Sequence, residues 1–290
     1  MSADLARTVF GHTFQNPVLL AAGTAGFGRE VAGVIDLERL GGIVTKAVSR
    51  EPRAGNRAPR VAEFPFGMLN SVGLANPGLG RVLEEQLPWL AQNLVRARVL
   101  VNVVGFEVEH FAEVVAGLDG APGITAFEIN LSCPNTSAGG LEFGADPVTA
   151  ARVVELCRGR TRKPLLAKLS PALPDIAGMA MVVRDAGADG VSVVNTLPGY
   201  LADVDGNPRL GNGNGGVSGP ALLPIGVLAV RRIMERSGGM PVIGVGGIRT
   251  ADDARQYLRA GAALVAIGTA AMANPRVPEQ VVSDLEAHGV

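Results

Sequence analysis

A chain of 290 residues with 47% hydrophobic and 18% charged side chains carries enough apolar material for a large core, which excludes disorder as its general state. A net charge of −1 without any basic block excludes nucleic acid as the main partner, because phosphate backbones are bound by clustered Lys and Arg. No apolar run reaches the roughly 18 residues that span a bilayer, and the N-terminal stretch MSADLARTVF has no basic-then-apolar signal, so a cytoplasmic protein with no membrane role and a small substrate is expected.

Eight short β-rich apolar runs recur along the chain, each followed by a segment with apolar residues at three- and four-residue spacing. PVLLAAG (17–23) precedes an expected helix over 29–40. GIVTKAV (42–48) leads through a long loop, 49–78, to a helix over 79–96, and RVLVNVVG (98–105) to one over 107–117. AFEINLSC (126–133) runs into a second long loop, 134–146, before a helix over 147–159; PLLAKLS (164–170) is followed by 173–187. GVSVVNT (190–196) opens the third long loop, 197–219, which is Gly- and Asn-rich and not expected to hold a helix, before 220–236. PVIGVGG (241–247) and LVAIGTA (264–270) precede helices over 250–260 and 277–287.

Strictly alternating strands and helices with continuously apolar strands predict a parallel sheet covered on both faces, and eight such units predict a closed (β/α)8 TIM barrel, one domain over 1–290. An open doubly wound sheet is the alternative. All three long loops leave C-terminal strand ends, the face where such barrels build active sites and carry lids.

Polar residues gather at those ends: Lys46 on the second run, Asn102 on the third, Asn130 and Cys133 on the fourth, Lys168 on the fifth, Asn195 and Thr196 on the sixth. A lone Asn at a strand end is ordinarily a turn residue. Polar groups on five consecutive strands are not explained by packing, because buried polar groups without partners cost free energy. With Asn70, the amides suit a planar ring that displays alternating C=O and N–H groups. The lysines suit an anion, and they stand out in a chain with 23 Arg and only three Lys, at 46, 163 and 168. Gly246, Gly247, Gly268 and Thr269 follow the seventh and eighth strands, the usual phosphate position of a barrel, and Gly219 offers another close approach.

No histidine joins this set, since His12, His110 and His288 lie elsewhere, which leaves Cys133 as a candidate base. A cysteine on a strand is more often an inert apolar group, and that reading is kept for Cys157, which falls on the face of the helix expected over 147–159. With no CxxC pair and no His/Cys cluster, neither zinc nor an iron–sulfur centre is expected in this chain.

TKA (45–47), NSVGLANPG (70–78), NVVG (102–105), NLSCPN (130–135), KLSP (168–171), VNT (194–196), GGVSGPA (215–221), GVGGI (244–248) and GTA (268–270), in this order, resemble dihydroorotate dehydrogenase, the flavin enzyme of pyrimidine synthesis. Cysteine rather than serine at 133 resembles the soluble class 1 enzymes. NVVG and the overall spacing resemble class 1B, which passes electrons to NAD+ through a separate FAD and [2Fe–2S] subunit, more than the fumarate-reducing class 1A.

The resemblance implies FMN held by Ala22, Lys46, Ala47, Asn102, Asn130, Lys168, Val194, Gly219, Gly246, Gly247, Gly268 and Thr269. It implies orotate held by Lys46, Asn70, Ser71, Val72, Gly73, Leu74, Asn130, Asn195 and Thr196, with Cys133 as base and Lys168 stabilising charge on the reduced ring. Gly139 and Gly140 would give the loop after the fourth strand the mobility to close. Ala22 departs from the small polar residue common in the family, which puts one side-chain contact to FMN in doubt. A homodimer is implied, joined in class 1B by the iron–sulfur subunit into a heterotetramer. Two other readings remain open: a related flavin barrel acting on uracil or thymine, and a non-catalytic barrel that binds a phosphate ligand.

Overall fold

Strands apolar at every position need cover on both faces, and the eight runs obtain it by closing on one another. The computed structural model describes residues 3–132, 134–135 and 141–290. Its strands, in chain order, are β1 (Arg7–Val9), β2 (His12–Phe14), β3 (Val18–Leu20), β4 (Gly42–Val44), β5 (Val61–Phe64), β6 (Gly67–Asn70), β7 (Arg98–Val103), β8 (Ile124–Asn130), β9 (Pro134–Asn135), β10 (Leu141–Glu142), β11 (Leu165–Leu169), β12 (Gly190–Val193), β13 (Leu197–Tyr200), β14 (Asn214–Ser218), β15 (Val242–Val245) and β16 (Leu264–Ile267). Strands β3, β4, β7, β8, β11, β12, β15 and β16 pair in that order and close as a parallel barrel, which removes the open-sheet alternative.

Side chains divide by alternation along each strand. Leu19, Val44, Leu100, Leu166, Ile243 and Leu264 form an inner cluster that also takes in Phe14, whereas Val18, Leu20, Ile43, Val101, Phe127 and Ile129 join the outer core. The β1–β2 hairpin closes the N-terminal end of the barrel. Arg98, the first residue of β7, donates through Nε to the Thr13 carbonyl at 2.9 Å, and Phe14 is fully buried against the barrel interior. A plugged lower end leaves the C-terminal mouth for a ligand.

Six of the expected helices form much as the pattern predicts, among them Val108–Asp119, Pro147–Arg158, Ile176–Asp185, Leu223–Ser237, Ala251–Arg259 and Val277–His288. The segment 79–96 winds as Gly78–Arg81 and Leu87–Asn93 joined by a wider turn, Val82–Gln86, in which the Leu87 N–H reaches back to the Val82 carbonyl. Pro88 comes directly after and has no N–H to continue a regular ladder.

The helix expected over 29–40 is not regular. Turns occupy 26–34 and only Leu37–Arg39 winds, as a 3-10 turn. Gly26 and Gly28 sit at φ of 56° and 88°, and Gly33 with three β-branched neighbours weakens the next turn, so bonds from Val31 and Ala32 both converge on the Gly28 carbonyl. The fourth strand ends at Asn130 rather than at 133, because the Asn130 Oδ1 accepts the Ser132 N–H at 3.3 Å and turns the chain. Lys46, Asn195 and Thr196 likewise stand just beyond the ends of β4 and β12 rather than on them.

All three long loops carry structure that the sequence pattern does not announce: in 134–146 the short strands β9 and β10 pair antiparallel, and the other two loops combine. β5 and β6 from 49–78 and β13 and β14 from 197–219 form one antiparallel sheet in the order β13-β14-β6-β5. The Gly-rich run 211–219 thus contributes a strand, with Val217 opposite Leu69, while the expected absence of a helix there holds among the described residues. Gly139, Gly140 and Cys133 lie outside the described residues. No helix among the described residues is long and apolar enough to cross a membrane.

Candidate active site

The barrel mouth and the four-stranded sheet enclose a cavity of about 590 Å³, inside the roughly 300–1,000 Å³ range of small-molecule sites. Three sets of side chains line it.

From the barrel come Lys46 and Ala47 beyond β4, Asn102 of β7, Asn130 of β8, Lys168 of β11, and Val194, Asn195 and Thr196 beyond β12. Hydrogen bonds tie several of them together in two groups. Asn195 donates through Nδ2 to the Asn130 Oδ1 at 3.4 Å, and the Thr196 N–H bonds to the Asn195 Oδ1 at 2.9 Å. Thr45, fully buried, accepts the Asn102 N–H through its hydroxyl at 3.3 Å and donates to the Lys46 carbonyl at 2.9 Å. The strand ends are thereby fixed relative to one another before any ligand arrives.

From the sheet and its approach come Asn70, Ser71, Val72, Gly73 and Leu74. Gly73 and Leu74 both have positive φ, 72° and 56°, an unusual conformation for leucine, and residues on both sides of the segment hold it. The Asn56 N–H bonds to the Val72 carbonyl at 3.1 Å and its Nδ2 to the Ser71 hydroxyl at 2.8 Å, while Asn76 Nδ2 donates to the Leu74 carbonyl at 2.8 Å. Asn70 itself donates to the Gly216 carbonyl across the sheet at 3.2 Å.

The third set is glycine-rich. Gly246 and Gly247 follow β15, Gly268 and Thr269 follow β16, and Gly219 and Ala22 complete this side of the cavity. A Cβ at Gly247 would lie 2.5 Å from the Leu223 backbone nitrogen, so backbone replaces side chain at this corner. Tyr257, on the helix Ala251–Arg259, supports it from behind, with its hydroxyl 2.7 Å from the Gly246 carbonyl and 3.0 Å from that of Val245. Burial pushes the phenol pKa up, so it stays a donor at any ordinary pH. Tyr257→Phe is expected to take the hydroxyl donor from the Gly246 carbonyl, while the Val245 carbonyl keeps the Val194 N–H, lowering stability by about 1–3 kcal/mol in urea unfolding and weakening any ligand held by the glycine corner. Thr269 donates to the Ser218 hydroxyl at 2.8 Å, and Ser218 lies 3.3 Å from the Met68 carbonyl, which ties this corner to the sheet.

All the described residues singled out from the sequence therefore meet around one cavity; Cys133 lies outside the described residues, directly after Ser132, which lines it. The charges in the lining belong to Lys46, Arg53 and Lys168, with no carboxylate or imidazole among the described lining residues, so the cavity favours anionic ligands. No group of His, Cys, Asp and Glu among the described residues is arranged to hold a metal.

Sequence reasoning missed Arg53, Phe106 and Glu128. The Arg53 guanidinium stands 3.9 Å from the centre of the Phe106 ring, and both line the cavity; nothing in PRAGNRAPR announces that contact. Glu128 is 1% exposed inside the barrel, and its signal was available as a carboxylate in the middle of the apolar run AFEINLSC.

The dihydroorotate dehydrogenase family model matches residues 4–288. Curated relatives named dihydroorotate dehydrogenase B (NAD(+)), catalytic subunit, agree over nearly the whole chain. The protein from Geobacillus kaustophilus is 47% identical over 280 residues, 96% of this chain and 88% of its own length. That from Desulforudis audaxviator is 46% identical over 289 residues, 99% of this chain and 93% of its own. The Pelobacter propionicus protein is 42% identical over 295 aligned positions, 100% and 96% of the two chains.

Proposed function

This chain belongs to the dihydroorotate dehydrogenase family, and on that premise we propose that the cavity oxidises dihydroorotate to orotate, with FMN taking the hydride and the electrons passing on to NAD+. The observation that carries the reading is a single cavity lined by lysines, side-chain amides and a glycine corner. The relatives' names include NAD(+), which favours this electron route over reduction of fumarate. The whole chain acts as one FMN-binding domain.

The residues present fit FMN on grounds independent of the name. Gly247, where a side chain would strike the Leu223 backbone, makes a cradle of main-chain N–H groups for a phosphate. The Ser132 Oγ is buried with no hydrogen-bond partner among the described residues, a donor left for a ligand. Gly219, Gly246, Gly247, Gly268 and Thr269 would hold the phosphate side, and Ala22, Ala47 and Val194 would pack along the ring, the alanine at 22 offering only its backbone for polar contact. Lys46, Asn102, Asn130 and Lys168 would bond the polar edge of the ring system. When bound, FMN supplies the acceptor for the hydride that leaves carbon 6.

The chain's own residues do the rest. Asn70 to Leu74, Asn130, Asn195 and Thr196 bind and orient the pyrimidine, their amides meeting its alternating C=O and N–H groups. Lys46 faces the carboxylate and spans the substrate and cofactor positions. Cys133 takes the proton from carbon 5 on its Sγ as the ring becomes conjugated. Lys168 places positive charge where negative charge builds up, an electrostatic contribution made before the reaction begins.

A chain with two cysteines has too few ligands for an iron–sulfur cluster. The relatives are named catalytic subunits, and we place FAD and a [2Fe–2S] cluster on a separate electron-transfer subunit, in a cytoplasmic heterotetramer built on a homodimer of this chain.

The test is direct. Purified protein is expected to take up FMN and turn yellow, to form orotate from dihydroorotate with an artificial acceptor, and to be inhibited by orotate at concentrations where uracil has no effect. A colourless protein that refuses FMN would overturn the flavin reading, and preferential turnover of a neutral dihydropyrimidine would replace the substrate.

A further inference from the structure

We propose that Glu128 is a positioning residue that fixes Lys168 and Asn102 beneath the cofactor, an inference that rests on the FMN reading above. Glu128 sits on β8, one inward-facing step below Asn130, and does not itself line the cavity. One oxygen serves both neighbours: Oε1 accepts the Asn102 Nδ2 at 2.7 Å and lies 3.7 Å from the Lys168 Nζ. The strand register makes this possible, with Asn102 opposite Glu128 across β7 and β8 and Lys168 opposite Asn130 across β8 and β11.

Among the ion pairs of the described residues, this is the one with both side chains under a tenth exposed, 8% for Lys168 and 2% for Glu128. Beneath it the barrel is filled by Leu100, Ala126 and Leu166, which offer no other partner. A buried ion pair stabilises a fold weakly, because desolvation offsets most of the attraction, whereas a buried charge left alone costs several kcal/mol. Stability therefore gives little reason to place a carboxylate here. Its effect is on the two side chains that reach the cavity: it aims the Asn102 amide and holds the Lys168 ammonium in place.

Glu128→Gln keeps an oxygen for Asn102 and removes the charge that faces Lys168. With no carboxylate left facing it, the Lys168 ammonium is no longer held at its present position and swings away from the mouth, so the polar edge of the cofactor loses a fixed positive charge. The expected result is a preference for reduced over oxidised FMN about tenfold below wild type, read as a two-electron midpoint potential about 30 mV more negative. In a Lys168→Gln background the same change at 128 should move that preference less than about twofold, because the group it acts through is gone.

An unchanged or raised preference in the single variant, or a tenfold fall in both backgrounds, would overturn the proposal. Should Glu128→Gln fail to fold while the double variant folds and binds FMN, the lone ammonium is the fault and the pairing stands. Failure of both would assign Glu128 to packing through Asn102 and overturn it. Wild-type protein that takes up no FMN would instead sink the cofactor reading, so the two failures are told apart.

Discussion

Cys133→Ala is expected to lower turnover by about 10²–10⁴-fold, the range for a positioned general base, while the protein still binds FMN. Proton removal from carbon 5 needs a group that can accept it, and the described residues around the cavity supply none: its titratable side chains are Lys46, Arg53 and Lys168, all cations. The second cysteine cannot stand in. Cys157 is fully buried on the helix Pro147–Arg158, and burial pushes its thiol up to about 12. Cys133 follows Ser132, whose backbone N–H is tied to Asn130 and whose side chain borders the cavity. Orotate formation with saturating artificial acceptor, measured beside the flavin absorbance of the same sample, separates lost chemistry from lost cofactor. Turnover within about threefold of wild type would reject the assignment, since removing a true base costs far more. Cys133→Ser should retain part of the rate and shift its optimum to higher pH, because a hydroxyl is a much weaker acid than a thiol and reaches its basic form only at higher pH.

The barrel was legible because its signal is repeated. Eight apolar runs at regular spacing over-determine the fold, and errors of one or two residues at their ends do not change how they close. Loop structure was not legible for the opposite reason. β5, β6, β13 and β14 have four or five residues each, and β14, read as NGGVS, is stabilised as a strand by pairing with β6 from a segment nearly 150 positions away. Local pattern cannot report a partner so distant. The helix expected over 29–40 fails because the glycines at 26, 28 and 33 outweigh the spacing of its apolar residues.

The site divides along the same line. Lys46, Asn102, Asn130 and Lys168 were visible as polar interruptions of apolar strands, with the motif resemblance adding Ser71 to Leu74 and Ala22. Glu128 interrupts its strand just as plainly. It stands one step deeper than the strand ends, however, where it touches the residues that face the cavity and not the cavity itself. Arg53 and Phe106 meet only through the folded path of 49–78.

Gly247→Ala is expected to weaken FMN binding by about 10–100-fold, the loss of one charge-assisted hydrogen bond, with stability lower by about 2–5 kcal/mol. Two costs add at this position. The residue has φ of 76°, where an L side chain is strained by roughly 1–2 kcal/mol. The added methyl would also lie 2.5 Å from the Leu223 nitrogen and 2.7 Å from its Cβ, at the start of the helix Leu223–Ser237. Neither atom is the end of a flexible side chain, so the turn itself must move, and the N–H groups proposed to hold the phosphate move with it. Gly238→Ala provides the control for strain alone: Gly238 caps the same helix at φ of 66°, and a methyl added there would meet nothing within 4 Å. It should cost about 1–2 kcal/mol and leave FMN affinity untouched. Fluorescence titration of FMN into both variants, with urea unfolding of each, separates the contributions. Wild-type affinity in Gly247→Ala would move the phosphate away from this corner, since a turn that has shifted to admit a methyl group cannot present the same donors.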